Sequence, residues 1–262
     1  MSNTLPADLA RALSLAEELA DVARRMAVSH FRTPLAVTPK SDGTPVTAVD
    51  RDIETEMRRM IRATFPGHAI RGEEFAPEGS GELAWVLDPI DGTKSFISGY
   101  PLFGSLIALC RGEQPVLGVI EAPALAERWV GCAGRPTLFN GAAARTRACR
   151  SVSEAVIYTT TLESYSVAER RGFEALAGRA ALRRFGGDCY IFGMLASGWC
   201  DLAVEVRLKP HDFMALIPVI EGAGGRVSDW RGEPLRFGGD GRLVAAASEE
   251  LWQQAVDVLG TV

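Results

Sequence analysis

Trp85-Val86-Leu87-Asp88-Pro89-Ile90-Asp91-Gly92-Thr93 is the stretch that decides how this chain is read. The apolar run Trp85-Val86-Leu87 predicts a short buried strand. Pro89 and Gly92 are expected to break it and start a turn. Asp88 and Asp91 then stand at the strand end, next to Gly92 and Thr93. Two carboxylates beside exposed backbone N–H groups can hold a divalent cation next to an anion. That pairing is what phosphate-ester chemistry needs.

Toward the N-terminus, Leu9, Leu13, Ala16, Leu19, Ala20, Ala23 and Met26 recur at helical spacing, which predicts an amphipathic helix over 7–31. Residues 34–46, with Pro34, Pro39, Gly43 and Pro45, read as loop. A second helix is expected from Thr47, its N-cap, with Asp50 three residues on as the acidic capping partner. Ile53, Met57, Met60, Ile61 and Phe65 fall on one face of it, and Pro66-Gly67 ends it.

Toward the C-terminus, strands are expected at 84–88, 102–110, 115–121 and 127–132, and sequential hairpins imply a largely antiparallel sheet. Beyond about residue 150 the elements alternate. Strands are expected at 155–160, 182–186, 201–206, 225–229 and 242–247, with helices at 166–178, 188–199, 212–222 and 249–259. The chain reads as one α/β unit over 1–262, with subdomains of about 1–145 and 146–262 that meet in 140–152.

Composition narrows the function. With 262 residues and 47% hydrophobic content the chain can bury a large core. Lys and Arg total 28 against 33 Asp and Glu, a net charge of −5, which argues against a nucleic-acid surface. It leaves a phosphate substrate open, because bound cations reverse the local sign. The 5 cysteines show no C-x-x-C spacing, so neither a disulfide framework nor a zinc site is expected, and a reducing cytoplasm is the simple reading. Glu17, Glu18 and Asp21 interrupt the first helix, which is therefore no signal-peptide core. No run reaches the roughly 18 apolar residues of a membrane span, so no membrane partner is expected.

Four acidic spots are candidates for chemistry: Asp88 with Asp91, Glu73-Glu74 after Arg71-Gly72, Asp212 before the apolar stretch from Phe213, and Asp50. Taken singly, each has a plain structural reading. Asp50 and Asp212 suit helix starts. Glu73-Glu74 suits a solvated loop, and Asp91-Gly92 suits a turn. Two carboxylates flanking a proline after a hydrophobic strand are more than a turn requires.

Together these motifs resemble a known family. Asp88-Pro89-Ile90-Asp91-Gly92-Thr93, preceded by Trp85 and followed by Ser95-Phe96, looks like the signature of the inositol monophosphatase superfamily. Thr47-Ala48-Val49-Asp50 is similar to its early threonine/aspartate motif, and Gly72-Glu73-Glu74 to its Gly-Glu-Glu. Asp212 with Glu221-Gly222-Ala223-Gly224-Gly225 is similar to its C-terminal motif, although Trp-Asp is commoner there than His211-Asp212. The resemblance runs from about residue 10 to 255.

It implies a five-layer α-β-α-β-α sandwich of the inositol monophosphatase and fructose-1,6-bisphosphatase type. It also implies phosphomonoester hydrolysis with two or three Mg²⁺ per site, and a homodimer. By motif, Glu73, Asp88 and the Ile90 carbonyl would hold one Mg²⁺, and Asp88, Asp91 and Asp212 a second, with Glu73 at a third. Phosphate would sit on the metals and on the N–H groups of Gly92 and Thr93. Glu73, with a Thr93 hydroxyl oriented by Asp50, would position and deprotonate a water acidified by the cations.

Within the superfamily, three stretches look more like the histidinol-phosphatase branch: Thr93-Lys94-Ser95-Phe96 onward, Gly187-Asp188-Cys189-Tyr190, and Leu208-Lys209-Pro210-His211-Asp212-Phe213. The implied substrate is a small phosphate monoester, L-histidinol phosphate of histidine biosynthesis. Inositol 1-phosphate or a broader sugar and nucleotide specificity is the alternative. A cationic head group gains from carboxylates, and Asp188 and Glu205 are the candidates, alongside Asp91 and Asp212. The plain readings are an N-cap for Asp188 and an exposed strand-end acid for Glu205. A silent phospho-ligand-binding relative would be expected to have lost a metal ligand, and none is missing. Lys40 is expected either near the phosphate or in solvent. His211 could stand beside the metal ligands. The tryptophans, Trp199 included, read as core or interface residues.

Overall fold

The computed structural model describes residues 7–39 and 45–262; Lys40 lies outside the described residues. Helix α1 (Ala7–His30) packs on α2 (Ala48–Thr64). The buried stripe of α1 is mostly small, with Ala12, Ala16, Ala20, Ala23 and Ala27 around Leu15 and Leu19, so the two helices can approach closely. Thr47 caps α2 as expected. Its Oγ1 accepts from Val49 N at 3.2 Å, and its own N–H donates to Asp50 Oδ2 at 3.0 Å. Within the stretch read as loop, β1 (Val37–Pro39) and β2 (Pro45–Thr47) pair antiparallel. Strands this short carry too little periodicity to be seen in the sequence.

The main sheet has seven strands in chain order: β3 (Ala69–Gly72), β4 (Leu83–Asp91), β5 (Gly104–Arg111), β6 (Gln114–Ala122), β7 (Glu127–Cys132), β8 (Leu138–Phe139) and β9 (Ala142–Ala143). Only β3, which the sequence did not reveal, runs parallel to its neighbour. A six-residue helix, α3 (Thr93–Ser98), follows β4 directly. Strand side chains alternate between two cores. Trp85, Leu87, Ile107, Leu109, Leu117 and Val119 face α1 and α2, whereas Val86, Leu106, Ala108, Cys110 and Ile120 face the opposite way.

The second sheet has five strands in the order β11-β10-β12-β14-β13. It comprises β10 (Val156–Thr159), β11 (Leu182–Phe185), β12 (Leu202–Glu205), β13 (Arg226–Ser228) and β14 (Leu243–Ala246). Between the sheets lie α5 (Tyr190–Ala196), α6 (Pro210–Phe213) and α7 (Leu216–Gly222). On the outer face lie α4 (Val167–Ala177) and α8 (Glu249–Leu259). The layers are therefore α-β-α-β-α, as the family resemblance implies. The single helix expected over 212–222 is two short ones, interrupted at Met214-Ala215. The helix expected from 188 begins at Tyr190.

Trp85, Trp129 and Trp230 are buried almost completely, but Trp199 is 74% exposed and is not a core residue. Among the described residues, no helix is long and apolar enough to cross a membrane.

Candidate active site

β4 does not stop at Pro89. It continues to Asp91, with a register shift in which Asp88 pairs with Leu106 and Asp91 with Gly104. Three steps on β4 thus oppose two on β5, which is a β-bulge. In a regular strand, residues 88 and 91 would point to opposite faces. The extra residue puts both on the face of Leu106, toward the second sheet. Ile90 accordingly falls into the core under α1 and α2. A proline is tolerated at a bulge, and the freed Pro89 carbonyl accepts the Ser105 hydroxyl at 2.6 Å.

The turn then passes through Gly92, whose φ of +80° suits glycine and whose missing Cβ would sit 2.8 Å from the Asp188 carboxyl. Asp91 Oδ2 accepts the Cys189 N–H at 2.6 Å, which ties the bulge to the start of α5.

Two other segments converge on the two aspartates. Glu73, just past β3, is held by its own N–H to Leu87 O at 3.1 Å. Asp212 lies in α6, where Oδ2 accepts the Lys209 N–H at 2.7 Å. It is therefore a helix-start acid and a member of the site at once. Among the described residues, two overlapping groups have ligand atoms within 4.8 Å of one another: Glu73, Asp88 and His211, and Asp88, Asp91 and Asp212. His211 Nε2 lies 3.5 Å from Asp212 Oδ1 and 4.0 Å from Glu73 Oε1.

Asp50 stands behind the cleft. Its Oδ2 accepts the Thr47 hydroxyl at 2.6 Å. The Thr93 hydroxyl reaches Ile90 O at 3.1 Å and Asp50 Oδ1 at 3.5 Å, so the carbonyl is the nearer acceptor.

The cleft has a volume of about 420 Å³ and is lined by Glu73, Asp88, Ile90, Asp91, Gly92, Thr93, Asp188, Glu205 and Asp212, with basic Lys94, Arg207 and Lys209 at its rim. Among the described residues, Asp50 is the one predicted catalytic, metal or substrate residue that does not line it.

Asp188 is no N-cap. It sits before α5 at φ +45°, a conformation Asp tolerates better than most residues, and its Oδ2 accepts the Ser95 hydroxyl at 2.8 Å. Glu205 is not an exposed strand-end acid. It is 6% exposed, and its Oε1 accepts the Thr160 N–H at 2.6 Å. Ser95, Thr160 and the Cys189 N–H were not singled out from the sequence. Local patterns do not reveal which donor a distant acid will meet.

Electrostatics follows from burial. Desolvation pushes the Asp88 carboxyl well above the usual range, and Glu73, Asp91 and Asp212 raise it further by like charge. Asp91 is pushed up in the same way by burial, then by Asp188 and Asp212. Burial also raises Asp212, Asp188 and Asp50, and it raises Glu205 to about 8. Among the described residues, Asp88 Oδ1 is buried without a hydrogen-bond partner. An unpartnered buried carboxylate oxygen among other carboxylates fits a divalent cation. Apart from the His211 imidazole, the donors are hard oxygens suited to Mg²⁺ rather than to a thiophilic metal.

The comparisons with known proteins agree with this geometry. The model of the inositol monophosphatase family matches residues 8–259. The chloroplastic bifunctional phosphatase IMPL2 of Arabidopsis thaliana is 40% identical over 99% of this chain and 79% of its own. The histidinol-phosphatase of Chlorobaculum parvum is 39% identical over 89% of this chain and 91% of its own. The solved structure of an inositol monophosphatase from Zymomonas mobilis superposes with a TM-score of 0.87 at 40% identity, covering 95% of this chain and 97% of that one. The chain belongs to the inositol monophosphatase family of phosphoric monoester hydrolases.

Proposed function

We propose that the chain is a Mg²⁺-dependent histidinol-phosphatase, hydrolysing L-histidinol phosphate to L-histidinol and phosphate. The observation that carries the metal dependence is the convergence of Glu73, Asp88, Asp91 and Asp212 on one cleft, with a buried Asp88 oxygen left over. Glu73, Asp88 and the Ile90 carbonyl would hold one cation, and Asp88, Asp91 and Asp212 another. The Ile90 carbonyl has a second lone pair beside the one that accepts from Thr93. Mg²⁺ held there supplies Lewis acidity to the phosphate and lowers the pKa of water.

The remaining roles fall to protein groups. The N–H groups of Gly92 and Thr93, at the free start of α3, donate to phosphate oxygens. Glu73 takes the proton of the attacking water. The Thr93 hydroxyl, between Ile90 O and Asp50, orients that water. Attack forms one P–O bond as the ester P–O bond breaks in line, and the alkoxide leaves with a solvent proton.

For the head group, Asp188 and Glu205, which also line the cleft, favour a cation. Arg207, at the rim, donates to buried Glu169 at 3.2 Å and to Ser164 O at 3.4 Å, so part of its charge is already compensated. The 39% identity with a histidinol-phosphatase supports the same substrate. Inositol 1-phosphate or a broader specificity is the second reading, favoured by the 40% identity with the Zymomonas mobilis protein.

A homodimer in the cytoplasm, and division of the unit into subdomains of about 1–145 and 146–262, belong to the same proposal. Sedimentation tests the first. Phosphate release with Mg²⁺ from histidinol phosphate, inositol 1-phosphate and 3′-phosphoadenosine 5′-phosphate tests the substrate. The highest kcat/KM is expected for histidinol phosphate, and a clear preference for another ester overturns the reading.

A further inference from the structure

Glu54 and Arg58 form an ion pair inside the protein. Arg58 Nε donates to Glu54 Oε1 at 2.7 Å, and the two side chains are 5% and 0% exposed. Neither lines the cleft. Both lie on α2 beneath the segment that carries Glu73. Glu54 Oε2 accepts the Glu74 N–H at 2.7 Å. Gly72 is packed so tightly on this carboxylate that an added Cβ would lie 1.9 Å from Glu54 Oε1. Arg58 Nη2 donates to both Phe75 O and Ala76 O at 3.1 Å, and its guanidinium lies 5.7 Å from the centre of the Phe75 ring. The segment is closed behind them by the paired backbones of Ile70 and Glu78, with both hydrogen bonds at 2.8 Å.

Burying such a pair carries a desolvation cost, and apolar side chains of similar volume often give equal or better stability. Apolar side chains could not, however, bind one N–H and two C=O groups of a loop. These bonds fall on Glu74, Phe75 and Ala76, the residues immediately after Glu73, while Glu73 itself is held at its N–H by Leu87 O. We infer that the Glu54–Arg58 pair is a positioning unit that fixes Glu73 in the cleft and so sets the affinity of the site for its divalent cations. This rests on the proposed role of Glu73 as a Mg²⁺ ligand. Groups behind the ligands of a metal commonly act in this way.

The test is Mg²⁺ titration by calorimetry, together with the half-saturating Mg²⁺ for phosphate release, in Glu54→Ala, Glu54→Gln and Met57→Ala. Met57 is a buried core residue on the same helix. Its truncation serves as the control for lost stability. Glu54→Ala is expected to weaken Mg²⁺ binding by about 10- to 100-fold. Glu54→Gln should recover only part of that loss, because its amide oxygen still accepts the Glu74 N–H while its NH₂ faces the Arg58 Nε–H that Oε1 accepted. Met57→Ala should bind Mg²⁺ as the parent does even where its melting temperature falls as far. Parent-like binding in Glu54→Ala, or an equal loss in Met57→Ala, overturns the inference. If Glu54→Ala does not fold, Arg58→Lys, which keeps the charge and gives up the fork to two carbonyls, is read against the same control. Failure of the unaltered protein to take up Mg²⁺ would instead overturn the reading of Glu73 itself.

Discussion

Where the β4 bulge, the segment after β3 and α6 meet, carboxylates face one another: Asp88 lies within reach of Glu73, Asp91 and Asp212. In a second group, Asp188, packed against Gly92, is met by the Ser95 hydroxyl, and Glu205 by the Thr160 N–H. Protein donors reach both groups, since Asp91 accepts the Cys189 N–H and Asp212 the Lys209 N–H. What differs is Asp88, which has three acidic neighbours and one buried oxygen without a partner among the described residues. There burial and like charge reinforce one another, and a Lewis-acidic ion would relieve both. Charge that awaits a cation suits chemistry; charge already partly satisfied suits recognition, where a mismatched head group leaves a buried acid unpaired.

The contrast can be broken most forcefully in the first group. Asp91→Asn removes a carboxylate charge but keeps an acceptor for the Cys189 N–H. It should lower kcat by about three orders of magnitude, the scale of several kcal/mol of lost charge stabilisation, with an unchanged circular dichroism spectrum. Wild-type turnover would overturn the metal scheme.

Next in size is the effect of the ion itself. At a Mg²⁺ concentration of about 100 times Kd the protein should gain about 2.7 kcal/mol over its chelated form, or roughly 5–10 °C in Tm. The pKa values of Asp88, Asp91 and Asp212 are raised, so protons compete with the cation. The gap in Tm should therefore widen from pH 6 to pH 8. A gap that narrows would contradict the buried-acid geometry.

In the second group the effect should be on selection. Asp188→Ala is expected to lower the preference for histidinol phosphate over inositol 1-phosphate by about 10- to 100-fold, the worth of a hydrogen bond to a charged group. Equal losses on both substrates would mean that Asp188 only supports Ser95 and Gly92.

Glu205 sharpens the comparison through stability. Its pKa is about 8 when folded, above the ordinary 4.5. Its contribution is thus fully present below about pH 4.5 and is lost as pH rises through 8, because the unfolded chain ionises first. Glu205→Gln should remove that part of the loss, leaving the chelated variant more stable than the parent by a few °C at pH 8.5. Parallel melting curves across pH would refute it. The smallest effect belongs to the rim. Lys94 and Glu163 approach to 3.6 Å but are 75% and 80% exposed. Lys94→Ala should shift Tm by less than about 2 °C.

Much of this architecture could be read from local pattern. The helices expected over 7–31, 166–178 and 249–259 are found at Ala7–His30, Val167–Ala177 and Glu249–Leu259, because their apolar spacing and caps are local signals. What escaped was short or interrupted. β3 is four residues with an arginine in it, the β1–β2 pair has three residues a side, and Met214-Ala215 divides one apolar run into two helices.

The identity of the site acids and their family signature stood in the sequence, because residue type and spacing are properties of the chain alone. Their convergence did not. Asp88 and Asp91 share a face only because β4 bulges against β5. Glu205 is a buried acid with a raised pKa, not a solvated one, because β10 and the following Thr160 close over it. Glu54 serves the site from a helix whose pattern marks it only as a charged residue next to Ile53. Bulges, burial and support from behind depend on contacts between residues far apart in sequence. Short-range periodicity carries no record of those contacts, so only the tertiary structure could decide them.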